Sequence, residues 1–354
     1  MTMTRTWGVV AVGVIAAGVL GLGLWRAAAV DKGGAVPAAA LDSVSAPVTG
    51  QAMAAPAIPA ASAGLHDGVP TPAQHAAYQA SKHRLLPLLA AGSPAERLAA
   101  LLLQGGVPDD ARRARIVALL LDGGGAAEPA VVGQALSACL QWADCPREQV
   151  LAATATAALA AEDAHLQLLR LQLSAPDAQA ALWEAASQAS FWVDPFEAQI
   201  QSLLAATEPL ATSLANDHLR AVEAIGIIAA TAMPDIRSLM QRCPAATEVS
   251  ERVLQCRRLA RLLVDSPTLL SAQIGLAVLM RQALPAAELV HWRQVKRQLD
   301  WHAALMVPLV DAEPGYPRQM AAHGERAALV WLLRRQGRPL DPPPHWRPGQ
   351  PTGY

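Results

Sequence analysis

The chain has 354 residues, 53% of them hydrophobic and only 16% charged, with a formal net charge of −1. That near-neutral balance provides no basis for nucleic-acid binding, which depends on an excess of positive charge. Alanine and leucine supply much of the apolar content, aromatics are 4%, and Val/Ile/aromatic runs are almost absent after residue 30, so the composition predicts an all-α protein.

The N-terminus has a separate job. From Trp7 to Trp25 the chain reads WGVVAVGVIAAGVLGLGLW, without a charge. A helix of that length reaches roughly 28 Å, close to the hydrocarbon thickness of a bilayer. Tryptophans at both ends suit the two interfaces. A cleaved signal peptide competes, with AAAV at Ala27–Val30 as its cleavage region. The apolar run is long for that purpose, however, and Trp25-Arg26 is a poor approach to a cleavage site. An uncleaved anchor at 7–25 is therefore expected, behind a cytoplasmic tail of residues 1–6. Arg5 on one side and Arg26 and Lys32 on the other leave its orientation open.

Residues 26–65 are rich in Ala, Pro, Ser and Gly, with no apolar periodicity, and read as a flexible linker. From 66 to 338 the pattern is helical and punctuated by proline, which is tolerated at a first helical position because its missing N–H has no partner there. Pro72, Pro94, Pro129, Pro146, Pro195, Pro209, Pro234, Pro267 and Pro285 all fit such starts. Ser93 with Glu96 and Asp194 with Glu197 have the spacing of capping boxes. The irregular spacing of the starts predicts an irregular, α-solenoid-like multi-helix domain rather than a tandem repeat. Residues 339–354 form a proline-rich tail, read as flexible, with a docking peptide as the minority reading.

The four cysteines fall into two similar pairs. Cys145 precedes Pro146 and Cys243 precedes Pro244, while Cys139 and Cys256 lie on apolar helix faces, with Val132 and Leu136 and with Val249, Leu259 and Leu263 respectively. On a continuous helix, residues six apart are too distant for a disulfide, but Pro146 forces a turn that can return Cys145 over the first helix. The spacings fit neither a C-x-x-C redox motif nor a zinc site. Two local disulfides are the favoured reading; reduced core cysteines are the alternative. Disulfides require an oxidising compartment, which would place the helical domain in the periplasm.

No motif identifies a reaction, a metal site or a cofactor. In NDHLRAVE, His218 falls among Leu214, Val222 and Ile225 and reads as a core histidine, with Glu223 on the opposite face. SFWVDPF holds Phe191, Trp192 and Phe196, either an aromatic plug between helices or a partner contact. Between His291 and His302, one face carries Arg293, Lys296 and Arg297, solvated or turned to an acidic partner, with Trp292 beside it as a further possible contact. Residues 143–240 carry twelve acidic against four basic side chains, and residues 281–347 ten basic against six acidic, so charge is unevenly distributed.

Residues 162–189, EDAHLQLLRLQLSAPDAQAALWEAASQA, resemble a tetratricopeptide-type hairpin in which Ala178, Ala181, Ala185 and Ala189 would allow close approach. The anchor, the Ala/Pro tether and the cysteine-bearing helices resemble uncharacterised envelope proteins of GC-rich Gram-negative bacteria. That resemblance brings no activity with it; the span and the cysteines together give the expectation of a single-pass inner-membrane protein with a periplasmic domain. The expected role is a noncatalytic scaffold for an envelope protein or peptide. A cell-envelope hydrolase with a site assembled from distant residues is the alternative, and a plain structural spacer the third.

Overall fold

A computed structural model describes residues 70–349, except 106, 108, 156–161, 230–235, 311, 312 and 314, with only the backbone of 236–238 and 307–310. The expected span at 7–25 and the 26–65 linker lie outside the described residues. Within them the chain forms fifteen α-helices and no strand, as its composition predicts. No helix among them is long and apolar enough to cross a membrane.

Proline sets many of the helix starts. Helices α1 (Pro72–Ala90) and α2 (Pro94–Leu103) start on their prolines, and Thr71 and Ser93 form reciprocal capping boxes with Gln74 and Glu96. After α3 (Asp109–Leu121), proline again opens α4 (Pro129–Gln141). Helix α5 (Arg147–Ala155) begins one residue after Pro146. Helices α6 (Ala164–Leu173) and α7 (Gln179–Gln188) precede α8 (Pro195–Ala206), which starts on its proline. Pro209 opens only a 3₁₀ turn, Glu208–Leu210, before α9 (Leu214–Ala229). The expected start at Pro234 lies outside the described residues, ahead of α10 (Ile236–Arg242). Helix α11 (Glu251–Val264) is followed by α12 (Leu269–Leu279), capped by Thr268, so that Pro267 lies just before the helix. The chain continues through α13 (Ala286–Val310), α14 (Tyr316–His323) and α15 (Glu325–Arg335).

These helices enclose two apolar clusters, to both of which α2 and α6 contribute. Leu166, Leu169 and Leu173 face a smaller cluster built mainly from α3, α4 and α5. Ala164, Leu168 and Leu171 face a larger one that draws on α7 to α15. An α-helix apolar on both faces has to be buried on both, and α6 provides a shared wall. Each cluster holds one cysteine pair. Cys139 and Cys145 lie at disulfide distance with Cα atoms 5.2 Å apart, and Cys243 and Cys256 with Cα atoms 5.7 Å apart. The turn required by Pro146 is present, with the Cys145 N–H donating to the Trp142 carbonyl at 3.3 Å. Cys139 is buried with Val132 and Leu136, and Cys256 with Leu259 and Leu263. Val249, expected beside Cys256, is 63% exposed, because α11 begins only at Glu251 and leaves it outside the helix.

Two expectations need correction. A solenoid confines packing to adjacent repeats, whereas here α9 packs against α1 and α14, α7 against α11, and α8 against α2, α4 and α14. The helices therefore form a cross-braced array. Helices α6 and α7 do pack together, but Ala178 and Ala181 are exposed. Helix α7 instead turns Trp183, Ala186 and Ser187 inward. Trp183 is the largest apolar side chain available there, and its burial in the larger cluster decides the rotation.

Candidate functional site

The most specific arrangement of polar and aromatic groups lies on α13 and takes up the chain's own tail. After α15 the chain reverses at Gly337, whose φ of +62° is left-handed, and the Arg338 N–H donates to the Leu333 carbonyl at 2.8 Å. Residues 339–346 then run along α13. The Trp301 indole N–H donates to the Pro339 carbonyl at 2.9 Å. His302 Nε2 lies 2.9 Å from the Leu340 carbonyl, which can only accept, so this nitrogen carries the proton. Burial, the largest influence, holds His302 below the usual histidine range. The Gln298 amide donates to Asp341 at 3.0 Å. One nitrogen of Arg297, Nη2, donates to the carbonyls of Pro343, Pro344 and Trp346. Trp346 is 3% exposed and packs edge-on to Trp301, with ring centroids 5.2 Å apart. The tail expected to be flexible from 339 onward is thus held along α13 as a strap over 339–346. Proline leaves few backbone donors to satisfy, and α13 supplies donors for the exposed carbonyls.

The predicted basic face is divided among different tasks. Arg297 grips the strap, Lys296 pairs with Asp300 at 2.5 Å, and Trp292 packs against the larger cluster. Arg293 is exposed. In the aromatic turn, Phe191, Trp192 and Phe196 are half-buried. The Phe191 carbonyl accepts the Ala164 N–H at 3.0 Å, while Trp192 and Phe196 pack against the larger cluster. The Trp192 ring lies 5.2 Å from His165. These aromatics fix how α6 and α8 meet.

Sequence inspection missed a buried polar junction at the starts of α8, α12 and α15. One oxygen of Asp194 accepts the N–H groups of Phe196 and Glu197 at 3.0 and 3.4 Å. The other accepts the hydroxyls of Ser266, Thr268 and Ser271, each at 2.7 Å. Glu197 was expected to cap reciprocally; instead Asp194 alone caps α8. Glu325 accepts the Leu269 N–H at 2.7 Å, and Arg326 donates to the Val264 and Ser266 carbonyls at 2.7 and 2.8 Å. Gly324 makes the close approach possible: its φ is +81°, and a Cβ there would lie 2.9 Å from the Pro267 side chain. Burial pushes Glu325 up to about 7 and Asp163 up to about 6, and it drives His165 down to about 4. Asp194 and the three hydroxyl residues are each at most 5% exposed. Chemically this is a helix-end clamp closed to solvent. The cluster S-P-T-L-L-S at 266–271 was its visible signal, since such residues favour helix N-caps.

His218 also differs from expectation. Leu214 and Val222 are 60% and 39% exposed, and His218 is only half-buried, so the inward face of α9 is Ala221, Ala224, Ile225 and Ile228. Glu223 turns towards α1, where it accepts from the Tyr78 hydroxyl at 2.8 Å and from Lys82 at 2.5 Å. This ion pair docks α1 on α9, a tertiary contact with no counterpart in local periodicity. Among the described residues, no group of three or more His, Cys, Asp or Glu side chains is placed to hold a metal ion. No protein-family model, curated protein or solved structure matches the chain.

Proposed function

We propose that the protein is a noncatalytic binding scaffold. In this reading residues 7–25 hold it in the inner membrane, residues 26–65 give it reach, and the helical domain faces the periplasm to hold an envelope protein or peptide. The observation that carries the binding role is the strap: α13 already presents Arg297, Gln298, Trp301 and His302 to an extended segment, mostly through backbone carbonyls. A face that reads carbonyls and an aromatic anchor is equipped for peptide recognition. Two cysteine pairs at disulfide distance suit an oxidising compartment. The alternative, a hydrolase of envelope material, would be centred on Asp194 and its three hydroxyl donors, but their burial leaves them no route to a substrate.

The test is photo-crosslinking in intact cells. A photoreactive residue replaces Val290, which is 64% exposed on α13, and in a control replaces Leu88, which is 69% exposed on α1. A reproducible envelope polypeptide captured from Val290 and not from Leu88 is the expected result. Equal capture at both positions, or none at either, rejects the scaffold.

A further inference from the structure

We propose that the α13 face is a docking site for an extended proline-rich segment of a partner protein, one carrying an aromatic residue just after its prolines. In this view residues 339–346 are an intramolecular stand-in that the partner displaces. The inference rests on the scaffold reading and specifies the class of partner.

Three observations carry it. The first is the chemistry of the contact. All of the strap's hydrogen bonds to Arg297, Trp301 and His302 end on main-chain carbonyls, those of Pro339, Leu340, Pro343, Pro344 and Trp346. Indole N–H groups and aromatic walls that accept proline-rich chains are a recurrent recognition mode, because such chains are stiff and lose little entropy on docking. The face therefore selects the shape of a proline-rich backbone with one buried ring. Any segment with those features meets the same donors.

The second observation is that the strap covers only part of the face. Positions 290, 294, 297 and 301 follow one another at helical spacing on one stripe of α13. The strap engages Arg297 and Trp301, whereas Val290, Arg293 and Gln294 towards the helix start are exposed. A partner longer than the strap would cover this apolar and basic extension as well. The third is imperfect satisfaction. Arg297 Nε and Trp346 Nε1 are buried and have no acceptor among the described residues. Unpaired buried donors weaken a contact, as an exchangeable stand-in requires. Tethering offsets this weakness, because a covalently attached segment faces its site at an effective concentration on the order of millimolar.

The experiment uses the full chain in detergent with a protease site inserted between Arg338 and Pro339. The probe is a fluorescent peptide of residues 339–349, PLDPPPHWRPG. After cleavage, the probe should exchange into the site, while the uncut protein should bind it about tenfold or more weakly. Arg297→Ala in the cleaved protein should weaken the probe about tenfold or more, since it removes charge-assisted bonds. Replacing Pro342, Pro343 and Pro344 of the probe with alanine should weaken it too.

Loss of helical circular dichroism on cleavage would make the strap part of the core and overturn the proposal. So would a cleaved, folded protein that ignores the probe, or one that binds it regardless of Arg297 and the prolines. A tail-swapped dimer of the uncut protein in sedimentation would reassign the occupant to a second copy and also overturn it. The scaffold reading fails separately: capture at Val290 without probe exchange would keep the scaffold and remove only its proline-rich partner class.

Discussion

Glu325 shows how much one side chain depends on its surroundings. In the sequence it is one acid among 29 at the start of an ordinary helix. In the fold its carboxylate lies at the start of α12, accepting the Leu269 N–H near Asp194, and burial raises it to about 7 from the usual 4.5. A folded-state value above the unfolded one means that its stabilising contribution is complete below about pH 4.5. That contribution is lost as pH rises through about 7. Asp163, raised to about 6, acts in the same direction. His165, lowered to about 4, acts in the opposite one: its contribution is full above the ordinary histidine value and is lost as pH falls. Glu325→Gln keeps an acceptor for Leu269 and removes the charge. Urea unfolding at a series of pH values should show the variant more stable than wild type at pH 8, by on the order of 3 kcal/mol at most. Its profile between pH 4.5 and 7 should be flatter, because Asp163 and His165 then oppose each other. Identical profiles for the two proteins would reject this assignment.

At the scale of elements, the two cysteine pairs do similar work in different clusters. Each joins a residue beside a helix-breaking proline to one inside a helix, closing loops with sequence separations of 6 and 13. Loop-closure entropy assigns about 2 kcal/mol to the shorter and about 3 kcal/mol to the longer. Because the pairs sit in different clusters, their effects should be independent. Replacing both cysteines of a pair with alanine, and then all four, should give additive losses in chemical denaturation; a marked shortfall in the fourfold variant would mean that the clusters are coupled through α6. These junctions were legible because proline and the apolar face of α4 restrict the local geometry. The inward face of α7 was not. Its alanines fit either side of the helix, and only the position of Trp183 against α11 and its neighbours distinguishes the two.

At the scale of the whole molecule, the proposed topology makes a direct prediction. With residues 7–25 as a span and the helical domain in the periplasm, alkaline phosphatase fused after residue 349 should be active, and fused after residue 6 inactive. The reverse pattern would move the helical domain to the cytoplasm. The charge asymmetry can be followed to particular contacts at this scale. Of the basic residues in the C-terminal part, Arg326 caps the end of α11, Arg335 pairs with Glu313 at 2.7 Å, and Arg297 holds the strap. These three side chains are committed to contacts within the chain, while Arg293 is exposed on α13.

The sequence by itself determined the helical class and the helix starts that proline marks, and it favoured local pairing of the cysteines, because each depends on neighbours within about fifteen positions. Proline's missing donor, the Ser/Thr caps and alanine's propensity act locally, so they can be read in order along the chain. Only the tertiary structure decided that Asp194 would gather three hydroxyls from 72 to 77 positions away, and that Glu223 would turn to Tyr78 and Lys82 across more than 140. It also decided that the proline-rich tail would lie on α13. Such contacts form between elements whose separate preferences are satisfied in many arrangements. The choice among them comes from which packing buries the most apolar surface while leaving the fewest carbonyls and charges without a partner.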